Sequence, residues 1–491
     1  VRQTRPGAAP YPAILITQGS LPPGPPRDTA RSQAITMFSS TNPATGQTFA
    51  TYPAHDAPAV RRILDEGGAA FAGWRETPLD DRLDGLLRLA GLFEARAREL
   101  AALATREMGK LLPEAEAEVR RCARICRFYA RTAPRWLADE PSPSDAGRRM
   151  VTYAPLGVIL AVMPWNFPFW QVMRTAAPNL ALGNAMAVKH APNVTGVAMA
   201  LEGLFREAGF PPDLVRVLRI PVELVPGAVA HPAVRGVTLT GSARAGAAVG
   251  ALAGANIKKA VMELGGSDPF VVLADARLDD CCSAAETARM RGCGQACIAA
   301  KRLIVERPLA GAFAERLRAM LDAHIPGDPL DPAVTLGPLA REDLLENLDR
   351  QVSVSLAMGA RLLTGGRRLD RPGFFYAPTL LAGVRPGMPA FDEELFGPVA
   401  ALVEAGDAEE AVALANATDY GLGASVWTAD TARGLALARR IEAGMVAVNA
   451  VPRSDFRLPF GGVKRSGYGR ELARFGLTEF ANIKTLVVED A

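Results

Sequence analysis

Val158-Ile159-Leu160-Ala161-Val162-Met163-Pro164-Trp165-Asn166-Phe167-Pro168 reads as six consecutive apolar residues cut off by a proline, then a short loop closed by a second proline. An unbroken apolar run of that length is a strand buried on both faces. Similar runs follow at Ala185–Lys189, Val215–Ile220, Val234–Leu239 and Ala260–Leu264, separated by helix-like segments, a spacing of roughly 22–30 residues that fits βαβ units. The fold class is therefore α/β with a Rossmann-like parallel sheet, and its ligand crevice is expected at the carboxyl ends of the strands. Pro269–Leu273, Arg302–Val305 and Ala424–Thr428 repeat the alternation less regularly and predict a second α/β domain over 265–445.

Upstream, Thr77 as N-cap, Pro78 and Asp80 open a helical run whose apolar positions continue to Leu100, with Gly109 closing it. Pro113 starts another helix to about Arg131, on which Cys122 and Cys126 read as core residues, since no His stands at ligand spacing. Residues 1–36 hold seven Pro, four Arg and one acidic residue without any period, and are expected to be a disordered extension. Asn42-Pro43-Ala44-Thr45-Gly46 marks the start of the folded part.

The chain has 491 residues, 49% hydrophobic and 22% charged, with a net charge of +3 and no block of like charge. That balance argues against a nucleic-acid surface and for a small-molecule partner. The apolar runs are far shorter than the ~18 residues of a membrane span. Six cysteines and no convincing secretory signal point to a reducing cytoplasm.

Only four His occur, none in a triad or metal pattern, so acid–base work falls to other groups, and no metal site is expected. Asn166, just past a strand end, faces the crevice, where a carboxamide can donate to a developing oxyanion. Thr240-Gly241-Ser242 precedes a helix from about Arg244, a place for a phosphate, although Gly-Ser turns before helices are common. Glu263, ahead of Gly265-Gly266, is either a partly buried base or a surface carboxylate. In Gly294-Gln295-Ala296-Cys297 the thiol is a nucleophile or a packed core residue.

Together these segments are more specific. The Met163–Pro168 loop, Val188-Lys189, Thr240–Gly246, Met262–Gly266, Gly294–Cys297, Glu393–Pro398 and Pro459–Gly462 resemble, in order and spacing, the aldehyde dehydrogenase superfamily over about residues 37–491. Lys189–Val194, Thr238–Ala248, Glu263–Phe270 and Gln295–Arg302 are most similar to short bacterial succinate-semialdehyde dehydrogenases.

The resemblance implies a cofactor domain at 37–135 and 156–264, a catalytic domain at 265–445, and an oligomerisation element with a C-terminal segment at 136–155 and 446–491. It implies Cys297 as nucleophile, Glu263 as the base that activates the deacylating water, and Asn166 as oxyanion donor. It further implies cofactor contacts from Trp165, Asn166, Lys189, His190, Ala191, Pro192, Gly241, Ser242, Leu264, Glu394 and Phe396. NAD(P) is the implied cofactor. Pro192 stands where NAD-preferring relatives often have Glu, and Lys189 and His190 remain to face a 2′-phosphate, so NADP is expected to be accepted. A homodimer or dimer of dimers is implied, with Thr485–Val488 as an apolar edge.

For the substrate, Arg174 and Arg457 are expected to bind a distal carboxylate, with Arg289 or Arg291 adding positive potential. The expected reaction is oxidation of succinate semialdehyde to succinate through a cysteine thioester. A broad-specificity or CoA-acylating enzyme and a catalytically idle relative are the alternatives. The sequence departs from the family pattern at Gly292, usually Asn, and has Ala299 where some members carry a second, redox-sensing Cys.

Overall fold

The computed structural model describes residues 37–143 and 147–489. The extension expected over 1–36 lies outside them. The turn at 42–46 joins a hairpin of strands Met37–Asn42 and Gln47–Pro53, with Gly46 at φ +74° where the chain reverses.

Around Val158–Met163 a six-stranded sheet assembles in the order Gly467–Tyr468, Lys259–Glu263, Val234–Thr240, Val158–Met163, Ala185–His190, Val215–Val217. All neighbours are parallel except the short edge strand Gly467–Tyr468. The apolar runs of the sequence are these strands, because helices cover both faces; the buried polar side chains they carry include Thr238 and, at strand ends, Lys189, His190 and Glu263. The adjoining seven-stranded sheet runs Arg361–Thr364, Thr379–Ala382, Val399–Ala405, Ala300–Glu306, Asp268–Val272, Gly423–Trp427, Met445–Val448, parallel but for its first strand.

The helical run predicted from Thr77 is divided. It forms Leu79–Ala95 and Ala97–Met108, broken at Arg96 (φ −106°, ψ 18°) and closed by Gly109 at φ +82°. Thr77 is not the N-cap: its hydroxyl donates back to Gly73 O and Pro78 takes the cap position. The next helix, Leu112–Trp136, outruns its predicted end, and Cys122 and Cys126 are buried on it.

Glu140–Ser142 and Arg148–Pro155 form a three-stranded antiparallel sheet with Ala481–Val488. The 446–491 segment does more than supply that outer strand. It also contributes an edge strand to the parallel sheet and a helix, Ala473–Thr478, packed on the helix Trp170–Leu182. No helix among the described residues is long and apolar enough to cross a membrane.

Candidate active site

Two cavities meet at Cys297. One, about 300 Å³, is bounded by Phe167, Trp170, Phe460 and the segment 451–454; the other, about 550 Å³, lies over the strand ends between Trp165, Gly241, Ser242, Leu264, Glu394 and Phe396. Cys297 and Gln171 line both.

The Cys297 loop follows the helix Leu278–Met290 through two left-handed residues, Gly292 at φ +62° and Cys293 at φ +56°. Glycine suits the first; the second is strained for a side-chain-bearing residue and is held by its surroundings. Gly292 N donates to Glu114 Oε1 (2.9 Å), and the Gln295 amide donates to Gly292 O and accepts from Ala340 N. These contacts do the supporting where the usual Asn is missing. Arg289 is buried and donates to the carbonyls of Gly294, Leu395 and Gly397, so it braces the loop and adds nothing to the substrate cavity.

Asn166 is buried, one amide hydrogen directed to Gln295 O at 3.0 Å and the second left for a ligand. Glu263 ends its strand fully buried, with neither oxygen hydrogen-bonded. Burial pushes its carboxyl up to about 8; Arg174 opposes this, and Glu471 and Asp268 add to it. Burial likewise pushes the half-buried Cys297 thiol up, with Glu263 adding and Arg174 and Lys301 opposing.

The guanidinium of Arg174, buried at 1% exposure, has Nε 2.5 Å from Glu471 and Nη2 3.5 Å from Glu263, and Nη2 also donates to Thr240 Oγ1. It borders the 300 Å³ cavity, yet the fork expected to receive a substrate carboxylate already serves two carboxylates of the chain. Arg457 requires a plainer correction. Asp455 accepts from its backbone N–H and its guanidinium, a tight turn that folds the side chain outward, and Arg457 does not line the cavity. Four residues earlier on that loop, Arg453 does, as do Arg121, Arg124 and Arg291. The sequence reading singled out Arg291 but missed the other three. For Arg121 and Arg124 the available signal was their i, i+4, i+7 spacing with Ala117 on one helix face.

In the larger cavity, Ser242 caps the helix Ala243–Ala255, accepting from Ala245 N, so the helix begins one residue before its predicted start. Its free N–H groups and the glycine before it fit a phosphate. A Cβ at Gly265 would lie 2.3 Å from Glu394 Oε2, and Gly266 N donates to Glu394 Oε1, so the two glycines let the carboxylate close over the groove beside Lys301. These residues fit a dinucleotide. Lys189, His190, Ala191 and Pro192 stand at and beyond the end of their strand, outside the lining of this cavity. His190 departs from expectation: Nε2 lies 2.8 Å from Pro168 O, Nδ1 accepts from Ala191 N, and burial lowers it to about 4. It is a neutral, internally satisfied ring and has no charge to offer a phosphate. Lys189 Nζ donates to His190 O.

The described geometry has close counterparts. A family model described as the aldehyde dehydrogenase family matches residues 29–486. A probable succinate-semialdehyde dehydrogenase [NADP(+)] of Synechocystis is 48% identical over 91% of this chain and 98% of its own, and the succinate semialdehyde dehydrogenase [NAD(P)+] of Escherichia coli is 47% identical over 91% and 97%. Among solved structures, the succinic semialdehyde dehydrogenase of Streptococcus pyogenes in complex with NADP+ superposes with a TM-score of 0.90 at 36% identity, covering 92% of this chain and 100% of that one. Similarity of this extent makes the chain a member of the aldehyde dehydrogenase family.

Proposed function

We propose that this protein oxidises a short aldehyde bearing a distal carboxylate, succinate semialdehyde above all, to the corresponding acid with NADP, and also with NAD. The observation that carries the substrate is the charge on the cavity beside Cys297. Arg121, Arg124, Arg174, Arg291 and Arg453 line it, and among the described residues no Asp or Glu does. An uncharged aldehyde leaves that crowding of cations unrelieved, whereas an anionic one offsets it. The curated relatives named for succinate semialdehyde support the same reading.

The chemistry follows from the residues. Cys297, as the thiolate left once its proton has gone to solvent, bonds through Sγ to the carbonyl carbon, while the carbonyl electron pair moves to oxygen and is met by the free Asn166 N–H. Bound dinucleotide, held by Trp165, Gly241, Ser242, Leu264, Glu394 and Phe396, supplies the hydride acceptor. A thioester on Cys297 remains. Ionised Glu263 takes a proton from water, whose oxygen attacks the thioester carbon, and returns that proton to the Cys297 sulfur as the acid leaves. A carboxyl raised to about 8 is matched to that task near neutral pH. Its presence also favours water over CoA as the acyl acceptor.

The six cysteines are free, which suits a reducing cytoplasm. The outer strand Ala481–Val488 exposes Ile483, Val487 and Val488, which supports pairing with a second copy in a dimer or dimer of dimers. The test of the function is reduced-cofactor absorbance with succinate semialdehyde and butanal, each with NADP and NAD. The expected result is a kcat/KM for the acid aldehyde at least tenfold above that for butanal; parity would reject the substrate.

A further inference from the structure

The carboxylate reading leaves open which arginine takes the charge, and the following rests on that reading. Arg174 is committed to Glu471 and Glu263. Arg124, Arg291 and Arg453 are exposed around the cavity. Arg121 differs from all four. It leaves the helix Leu112–Trp136 one turn after Ala117, whose small side chain keeps that wall of the cavity open. Its guanidinium lies over the Trp170 ring, 4.4 Å from the centroid, and donates through Nη2 to the Ser454 carbonyl. Two rigid neighbours thus fix its plane, and its Nε is buried with no partner. Among the described residues it forms no ion pair with a carboxylate of the chain. Burial, and then Arg291, Arg124 and Arg174, lower it to about 10.

We propose that Arg121 is the specificity-determining residue that receives the distal carboxylate of the substrate, held in place by Trp170 and the Ser454 carbonyl. A planar guanidinium, oriented before the substrate arrives, loses little freedom on binding. Arg174, by contrast, acts on Glu263.

The experiment compares wild type, Arg121→Met and Arg121→Lys on succinate semialdehyde and butanal at saturating NADP, with thermal melting as a check on folding. In Arg121→Met the ratio of kcat/KM for the acid aldehyde over butanal is expected to fall at least tenfold, through KM for the acid aldehyde. Arg121→Lys keeps the charge but not the fork or the stack, and is expected to recover part of that ratio; it also serves should the Met variant fail to fold. A wild type that prefers the acid aldehyde, with a ratio unchanged in a folded Arg121 variant, overturns the assignment and leaves the substrate class standing. A wild type with no preference for the acid aldehyde removes the substrate class and the role of Arg121 with it.

Discussion

Glu263 and Arg174 lie 3.5 Å apart, each buried at 1% exposure. In the proposed mechanism, replacing Glu263 by Ala removes the base for deacylation but neither the nucleophile nor the oxyanion donor, so rapid mixing of that variant should give a burst of about one reduced cofactor per active site, then a stall. Sustained turnover after the burst would place the base elsewhere. As the proposed base, Glu263 works only when ionised, so kcat of the wild type should rise with pH through about 8, the value to which burial raises it. Arg174 opposes that rise by favouring the carboxylate. Its replacement by Met should therefore displace the limb upward by roughly one pH unit or more, and equally for acid and neutral aldehydes. A defect confined to KM for the acid aldehyde would instead make Arg174 a substrate ligand.

The helix Leu112–Trp136 links both halves of the site. Glu114 holds the nucleophile loop through Gly292 N, and one turn later Glu118 accepts from Phe169 N (2.9 Å) and Trp170 N (3.0 Å) at the start of the helix that carries Arg174. Lys110 completes the series, ion-paired with Glu118 at 1% and 2% exposure and set over the Phe167 ring. Glu118→Ala would leave a buried ammonium and two N–H groups without partners, a loss of roughly 3–5 kcal/mol. Urea unfolding should show that loss, and Lys110→Met in the same chain should recover part of it because the uncompensated charge is gone. No recovery would mean that the helix cap, and not the ion pair, dominates.

For the whole molecule, the outer strand Ala481–Val488 turns most of its residues to solvent, Val487 at 53% and Ile483 at 59% exposure. An apolar edge of this kind is a template for a second chain. Val487→Glu should lower the mass measured by light scattering toward the monomer without altering the melting of the Cys297 site. A wild type already monomeric at assay concentration would dispose of the assembly.

The sequence by itself determined the parallel sheet around Val158–Met163, since strands buried on both faces are mostly apolar and so declare themselves as apolar runs, and Val158–Met163 matches its observed strand residue for residue; of the second sheet it announced three strands of seven. It also placed Asn166 and Glu263 at the ends of strands and Cys297 in a loop, and of these Asn166 and Cys297 line the cavity over the strand ends. Only the tertiary structure decided the state of the arginines and of His190. Whether a guanidinium is free depends on carboxylates far away in sequence: Glu471 claims Arg174, Asp455 turns Arg457 outward, and Arg121 reaches the cavity because Trp170 and Ser454, 49 and 333 residues away, fold against it. His190 sits at the expected strand end, but its neutrality comes from burial against Pro168, which no local pattern announces. Periodicity records which face of an element is buried; the partner of a buried charge is a property of packing.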